Sequence, residues 1–257
     1  MNSQPSHNNM PRIFNRFEFK YKISPITAII IQRQLKRCGM KPDPFASKHL
    51  DNTYRVTSLY FDSAALKDYY DKEGGFLARK KIRARIYEPY LKDSNIVWLE
   101  IKQKNDVSIN KKRVELTLDE WKLIEKGEYN KLLNQKAERN KQDREILEHI
   151  LFHMIGDGMT PRTITTYDRQ PLIYNHVEGL RVTFDKNFDT CSRNDLCYTQ
   201  RRVEVLPKHE VIMELKFGTL LPLWLKDIVT KFELKRIAYS KYTHATEALR
   251  AHLPIPR

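Results

Sequence analysis

Charged and apolar side chains alternate residue by residue in several separate segments of this chain. In residues 14–23, the apolar Phe17 and Phe19 alternate with Glu18 and Lys20. Because successive side chains of a strand point to opposite faces, this alternation predicts a strand with one apolar and one charged face. The same alternation recurs at 79–87, 96–104, 111–118, 181–185 and 211–217. The chain is therefore expected to build an antiparallel sheet whose two faces differ in charge.

Helix signals lie between and after the predicted strands. Ser24 followed by Pro25 is typical of an N-cap with proline in the first turn, so a helix is predicted over 24–37. Asp119 begins another predicted helix. Further strands are predicted at 53–62 and 162–169, and further helices at 64–71, 129–154, 222–235 and up to 252. No internal repeat or linker is evident, which predicts a single α+β domain.

The charged faces carry an unusual density of cations. Arg79, Lys81, Arg83 and Arg85 share one face of one strand. Glutamates also occur on these faces, each with a lysine two residues later: Glu18, Glu100 and Glu214. A flat sheet with a solvated basic side is the simpler interpretation. Closure into a barrel would instead place the charges inside and the apolar faces under the helices.

A closed basic interior would need anions. Two like charges about 4 Å apart repel by about 4 kcal/mol at an effective dielectric constant of 20. A linear phosphate chain would relieve that repulsion, because Arg binds phosphate oxygens in a bidentate manner. Glutamates do not bind phosphate, but they are oxygen ligands for Mg²⁺ or Mn²⁺, which bridge carboxylate and phosphate. The pattern therefore predicts a site for a polyphosphate-type anion and a divalent cation.

Composition agrees with a folded protein that binds polyanions. The 257 residues are 40% hydrophobic, and 46 Lys and Arg against 32 Asp and Glu give a net charge of +14. The three cysteines form no CxxC motif, so neither a disulfide framework nor a zinc site is expected, and a reducing cytoplasm fits best. Residues 1–11 are expected to form a disordered lead rather than a signal peptide. The longest apolar run, 26–31, is too short to span a membrane.

Nine short segments resemble the VTC-type polyphosphate polymerase domain, a branch of the triphosphate tunnel metalloenzymes (the CYTH-like superfamily). They span residues 12 to about 252, and each falls on a charged face predicted above. The segments are RFEFKY at 16–21, SLYFD at 58–62, KIRARIY at 81–87, WLEIKQK at 98–104, KKRV at 111–114, YDR at 167–169, RVTFD at 181–185, MELKF at 213–217 and SKY at 240–242.

The resemblance implies a fold and a reaction. The fold is an eight-stranded antiparallel β-barrel, the triphosphate tunnel, with flanking helices, formed by a single domain over 12–257. The reaction is transfer of the γ-phosphate of a nucleoside triphosphate to a growing polyphosphate chain, with Mn²⁺ or Mg²⁺ as cofactor. Catalysis would consist of positioning and charge neutralisation. No DNA partner is expected, and a membrane-protein partner is compatible with a chain that lacks a spanning segment.

The resemblance also assigns residues to the tunnel. The implied catalytic residues are Lys20, Arg83, Arg85, Lys102, Arg113, Arg169 and Arg181. The phosphate-binding candidates are Lys81, Lys111, Lys216 and Lys241. For the metal, Glu214 is the first candidate, with Glu18 and Glu100 as secondary candidates.

One position departs from the wider superfamily and bears on the reaction. Hydrolase and cyclase members begin with Glu-x-Glu-x-Lys, whereas this chain has Arg16 at the first position. The change removes one metal carboxylate, which disfavours a small-triphosphate hydrolase and leaves the number of metals open. An inorganic or organic triphosphatase and a non-catalytic polyphosphate sensor remain alternatives. A different class of rival is single-stranded RNA binding, with Tyr54, Tyr60 and Tyr87 beside the basic face.

Other motifs favour structural roles. His149 and His153 lie one helical turn apart, but without the HExxH spacing they are expected to be ordinary helix histidines. The charge run 136–145 is expected to be a solvated helix face. The sequence contains neither GxxxxGK[ST] nor GxSxG, so a P-loop and a nucleophile elbow are unsupported.

Overall fold

The computed structural model describes residues 17–92, 96–106, 108–192, 194–197, 202–218 and 220–251. The predictions for residues 1–11 and for Arg16 lie outside these ranges. The strands are β1 (Phe17–Ile23), β2 (Lys41–Pro42), β3 (Tyr54–Asp62), β4 (Ala78–Ile86), β5 (Val97–Asn105), β6 (Ser108–Leu116), β7 (Thr160–Ile173), β8 (Arg181–Cys191), β9 (Val203–Glu204), β10 (Val211–Phe217) and β11 (Arg236–Ile237). The α-helices are α1 (Pro25–Arg37), α2 (Lys67–Glu73), α3 (Leu118–Lys126), α4 (Tyr129–Arg139), α5 (Lys141–Gly156), α6 (Leu223–Lys231) and α7 (Lys241–Ala251).

All of these strands belong to one antiparallel sheet with the order β11-β1-β10-β8-β7-β3-β4-β5-β6, to which β2 and β9 add short pairings. The predicted α+β class, with an antiparallel sheet of eight long strands and flanking helices, is confirmed. The predicted closure into a barrel is not found: no pairing joins β6 to β1 in the described residues. The second edge of β1 is already occupied, because Lys20 and Tyr21 pair with Ile237 and Arg236 of β11.

The sheet nevertheless curls until its two ends face each other. The Lys102 Nζ of β5 lies 3.4 Å from the Glu18 Oε2 of β1, although these strands are far apart in the sheet order. Side chains thus bridge the gap that backbone hydrogen bonds leave open. The charged face becomes the concave, inner face of the sheet, as the family resemblance implied.

The apolar face is covered by helices on the outside. One core cluster joins Ile82 of β4 and Leu99 of β5 to Trp121 of α3 and Leu147 of α5. A second, separate cluster packs the outer faces of β1, β8 and β10 under α1 and α6, with Ile31 at its centre. Burial of apolar area is the main driving force for folding. These clusters therefore fix which face of each strand packs against the helices, and the opposite, charged face becomes the inner face.

Several helix ends follow local capping rules. The Ser24 hydroxyl accepts a hydrogen bond of 3.0 Å from the Thr27 amide at the start of α1, as predicted. Thr117 and Glu120 form a capping box that begins α3. The predicted single helical region 129–154 is in fact two helices, because Asn140 ends α4 and its side chain caps α5.

The interpretation of 136–145 as a solvated face is wrong at one residue. Lys136 is buried, and its Nζ donates to Glu120 Oε2 at 2.9 Å and to the Glu115 carbonyl at 2.7 Å. A buried lysine requires such partners, so this residue ties α4 to α3 and β6. The isolated charge pattern cannot reveal it, because Glu120 lies in another helix.

The strand directions define two ends of the inner face. Strands β1, β3, β5 and β8 begin at one end, which we call the mouth, where β4, β6, β7 and β10 finish. The opposite end is contacted by α7. There the Tyr242 hydroxyl of α7 donates a hydrogen bond of 2.6 Å to Asp62, the last residue of β3.

Candidate active site

The strand register places the predicted site residues in rows across the inner face. Arg181, Lys216 and Glu18 are Cα partners across β8, β10 and β1. Glu214 and Lys20 form the next row. In the other half of the sheet, Arg83 lies opposite Glu100, which lies opposite Arg113 of β6. Lys81, Lys102 and Lys111 form a row of their own.

Glu18 lies among three lysines. Its carboxylate is 2.8 Å from Lys20, 3.4 Å from Lys102 and 4.0 Å from Lys216. Burial and the nearby Glu214 carboxylate raise the pKa of Glu18. The three ammonium groups lower it by more, so that the resulting pKa is about 2. Glu18 is therefore ionised at any ordinary pH.

Glu214 lies beside Glu18 and is likewise held ionised. Its carboxylate contacts Lys216 at 2.7 Å and Arg169 at 3.9 Å. Burial opposes ionisation, but Lys216, Lys20 and Arg169 together hold the pKa of Glu214 well below its usual range. Two interacting carboxylates thus face one space in the same half of the site.

Sequence reasoning missed Asp185 as a member of the site. Its two oxygens each accept a hydrogen bond of 2.8 Å from Arg169, and Lys241 donates to the Oδ2 at 2.6 Å. Asp185 is buried, and despite that burial Arg169 and Lys241 lower its pKa. The available signal was its place two residues after Thr183 on the charged face of β8, shared with Arg181.

Glu100 forms a second, separate cluster. Its Oε2 accepts a hydrogen bond of 2.7 Å from Arg83 and lies 3.9 Å from Arg85, and its Oε1 accepts one of 2.6 Å from Lys111. Ser58 of β3 accepts a hydrogen bond of 3.0 Å from Arg85. Burial of Glu100, which is only 1% exposed, raises its pKa, but Arg83, Arg85 and Lys111 lower it more and hold it below its usual range. Glu100 therefore orients the arginines.

The glutamates fit a divalent cation in part. Mg²⁺ and Mn²⁺ are held in such sites by one or two carboxylates together with phosphate oxygens. Glu214 and Glu18 meet that description, because both are ionised and close enough to interact. Glu100 lies apart from them, in the cluster with Arg83, Arg85 and Lys111 in the other half of the sheet. Within the described ranges, no three acidic, histidine or cysteine side chains converge to hold a metal by themselves.

Lys81 lies where α7 meets β4. Its Nζ donates a hydrogen bond of 2.6 Å to the Ser240 hydroxyl and lies 5.6 Å from the centre of the Tyr242 ring. Burial, together with Lys20 and other lysines, lowers the pKa of Lys81 to about 8. The Tyr242 ring stacks on Tyr60 with centroids 5.0 Å apart. This contact closes the α7 end of the inner face.

Tyr60 is a second residue that sequence reasoning did not assign to the anion site. Arg83 donates a hydrogen bond of 3.0 Å to the Tyr60 hydroxyl. Burial raises the pKa of Tyr60, but Arg83 and Arg85 lower it more, to about 8. A tyrosine next to two guanidinium groups is a hydrogen-bond partner for a phosphate oxygen.

Two of the predicted arginines are more accessible than Arg83, Arg85 and Arg169. Arg113 is exposed, and its guanidinium lies 4.4 Å from the centre of the Trp98 ring. Arg181 is 33% exposed and contacts the Asp43 carboxylate and the Tyr54 hydroxyl, each at 3.2 Å. All of the predicted basic residues thus lie on the inner face, with Arg181 at its mouth.

The remaining motifs have structural explanations. The Gln103 side-chain amide bridges the two histidines of α5, at 3.0 Å from His149 and 3.2 Å from His153. Their Nε2 atoms are therefore engaged, which supports the prediction of ordinary helix histidines. Tyr54 and Tyr60 are buried, so two of the three rings proposed for RNA stacking are inaccessible. In the described part of the chain, no helix is both long and apolar enough to cross a bilayer.

Comparisons with known proteins gave one family match and several distant structural similarities. A search of curated proteins gave no match. Among solved structures, a candidate adenylate cyclase of Bacillus halodurans shares 12% identity at a TM-score of 0.49, covering 89% of this chain and 94% of that one. PH1819 of Pyrococcus horikoshii shares 10% identity at a TM-score of 0.40, with coverages of 91% and 98%. HpAC1 of Hippeastrum, a candidate adenylyl cyclase with a dominant triphosphatase activity, shares 17% identity at a TM-score of 0.44, with coverages of 93% and 98%.

These structural similarities are too distant to bear on the reaction. The family profile described as VTC domain, in contrast, matches residues 15–250. That range contains every predicted site residue and both halves of the basic inner face. The chain therefore belongs to the VTC domain family.

Proposed function

We propose that this protein is a metal-dependent polyphosphate polymerase. It transfers the γ-phosphate of a nucleoside triphosphate to the end of a polyphosphate chain bound along the inner face. The catalytic set would be Lys20, Arg83, Arg85, Lys102, Arg113, Arg169 and Arg181, with Lys81, Lys111, Lys216 and Lys241 as further phosphate ligands. Membership of the VTC domain family supports the proposal.

The observation that carries the proposal is the set of cations that extends along the inner face from the mouth to α7. Arg181 lies at the mouth, Lys81 lies beside α7, and Lys241 is the first residue of α7. From Arg85 to Lys81 alone, four residues of strand extend about 13 Å. An inner face of this length suits a chain of phosphates better than a single one, because each added phosphate finds a further cation.

The proposed reaction is an in-line phosphoryl transfer. A terminal oxygen of the polyphosphate attacks the γ-phosphorus, the bond to the bridging β-γ oxygen breaks, and a nucleoside diphosphate leaves. The arginines of the Glu100 cluster are held in place before the substrate arrives, so they can stabilise developing charge without reorganisation. When bound, a divalent cation at Glu214 and Glu18 would neutralise phosphate charge.

A triphosphatase and a non-catalytic polyphosphate sensor use the same anion cage. In a triphosphatase, water attacks the γ-phosphorus. In a polymerase, the end of a phosphate chain attacks it, and in a sensor no attack takes place. The contacts on the inner face favour the phosphate chain, since cations extend beyond the length of one triphosphate. A groove for single-stranded RNA is disfavoured because Tyr54 and Tyr60 are buried.

The test is incubation of the purified protein with ATP and Mn²⁺, followed by gel staining for polyphosphate and assay of orthophosphate. The proposal expects a stained polymer together with a nucleoside diphosphate. Orthophosphate without polymer would indicate a triphosphatase. If the protein binds polyphosphate and turns over no ATP, it is a sensor. The variant Arg169→Ala serves as the negative control, because Arg169 contacts both Asp185 and Glu214.

A further inference from the structure

Aromatic rings gather at the mouth of the inner face. β3 begins there with Tyr54 and β8 begins with Arg181. Tyr87 directly follows the end of β4 at the same mouth. Phe45 and His49 come from the segment between β2 and β3. Arg181 contacts this cluster, because its guanidinium donates a hydrogen bond to the Tyr54 hydroxyl.

Phe45 contacts three other rings of this cluster. Its centroid lies 4.9 Å from Tyr54 at an interplanar angle of 83°, and 5.4 Å from Tyr87 at 57°. The His49 ring lies 5.0 Å away at 52°. The contact with Tyr54 is edge-to-face and those with Tyr87 and His49 are tilted, and together they favour one orientation of the Phe45 ring. Yet 40% of Phe45 is exposed, so part of an oriented aromatic surface remains open to a ligand.

Phe45 is also linked, through Asp43, to Arg181, one of the proposed phosphate-binding residues. The Asp43 carboxylate accepts a hydrogen bond of 2.9 Å from the Phe45 amide and contacts Arg181 at 3.2 Å. The Arg181 Nε is buried and makes no hydrogen bond within the described structure. One carboxylate thus sets the position of the Phe45 backbone relative to the Arg181 guanidinium, which is a third exposed at the mouth. A nucleotide offers the same two groups, a flat base and a phosphate, joined by a short ribose.

A second ring on the inner face near the mouth is already covered. Trp98 carries the Arg113 guanidinium 4.4 Å from its ring centre. A base could reach that face only by displacing a cation–π contact. Phe45 has no such cation over it among the described contacts, so it is the better stacking surface.

We propose that Phe45 is the stacking surface for the base of the nucleoside triphosphate, with Arg181 holding the adjacent phosphate. This inference rests on the proposed function, because it names the base subsite of the same substrate. Stacking accepts any base, since every base has a π-face. The protein should therefore prefer nucleoside triphosphates to inorganic tripolyphosphate, with little discrimination among the bases.

The test compares the binding of ATP and of inorganic tripolyphosphate to the full chain by calorimetry. Phe45→Ala should weaken ATP binding about tenfold, the effect of losing one base stack, and leave tripolyphosphate binding unchanged. Phe45→Leu keeps apolar volume without a π-face and should give the same loss, whereas Phe45→Trp should retain ATP binding. The matched control is Phe152→Ala, an exposed phenylalanine on α5 outside the inner face.

The possible outcomes separate this inference from the proposed function. Unchanged ATP affinity in both Phe45→Ala and Phe45→Leu would overturn the stacking role alone. Equal weakening of ATP and tripolyphosphate, with a lowered melting temperature, would show that Phe45 only supports the mouth structurally, which also overturns it. If the wild-type protein binds neither ligand, the proposed function fails, and the base subsite fails with it.

Discussion

Arg169 and Asp185 form a bidentate ion pair across β7 and β8, in which Nε and Nη2 each donate a hydrogen bond of 2.8 Å to a different carboxylate oxygen. Asp185 is 1% exposed and Arg169 11%. Lys241, at the start of α7, contacts the same carboxylate at 2.6 Å. The buried Asp185 carboxylate thus orients one cation of the sheet, Arg169, and one cation of α7, Lys241.

Asp185→Asn should destabilise the protein, because two buried cations lose their counter-charge. Breaking a buried ion pair by removing one partner costs about 3–5 kcal/mol. Added tripolyphosphate should restore much of this loss, since it supplies the missing negative charge and binds only the folded state. Urea unfolding with and without tripolyphosphate measures both effects. Equal stability of variant and wild type without the anion would contradict the prediction.

Glu214→Gln should weaken metal binding selectively. The half-saturating Mn²⁺ concentration in the polymerase assay should rise about tenfold or more, because one of two carboxylates in the candidate metal site is lost. Glu100→Gln is the matched control, since its oxygens contact Arg83 and Lys111 rather than the space beside Glu18. That variant should lower the rate without shifting the metal titration. Identical metal titrations for the two variants would reject the assignment of Glu214.

Arg181→Ala and Arg83→Ala should both reduce phosphate binding but differ in stability. Arg181 is a third exposed at the mouth, so its loss should change the free energy of unfolding little. Arg83 donates to both Glu100 and Tyr60, and its loss leaves a buried carboxylate with fewer donors, at a cost of about 1.5–3 kcal/mol. Calorimetric titration with tripolyphosphate and thermal unfolding separate the two effects. A variant that turns over ATP at the wild-type rate would exclude that arginine from the site.

Polyphosphate affinity should fall as the pH rises above 8. Burial lowers the pKa values of Lys81 and Lys111 to about 8, so both lose their charge in this range when no anion is bound. The unfolded chain keeps Lys81 protonated up to about 10.5 and so binds more protons between these pH values. The free energy of unfolding contributed by Lys81 therefore rises with pH while anion affinity falls.

Arginine substitutions test the source of this pH dependence. The double variant Lys81→Arg/Lys111→Arg stays charged throughout, so its tripolyphosphate affinity should be nearly flat from pH 7.5 to 9.5. Lys126→Arg, on α3 outside the inner face, is the control and should keep the wild-type profile. If the tripolyphosphate affinity of the double variant falls as steeply with pH as that of wild type, groups other than Lys81 and Lys111 cause the pH dependence.

The strands and their two faces could be predicted from the sequence because the cause is local. The alternation of Lys20 and Tyr21, or of Arg83 and Ala84, reflects the two-residue period of a strand and needs no partner. The Ser24 N-cap likewise depends on a contact three residues away. The boundary between α4 and α5 was not predicted, because it depends on a single polar residue, Asn140.

The sequence by itself determined a basic inner face, its family resemblance and the identity of its cations. Only the tertiary structure decided which acidic residue pairs with which basic residue. Glu18, Glu100 and Glu214 look equivalent along the chain, yet Glu18 and Glu214 meet across β1 and β10, while Glu100 orients arginines in the other half. Asp185 and Lys241 meet although 56 residues separate them. The physical reason is that electrostatic roles depend on distances between strands, which sheet order and curl set and local periodicity does not.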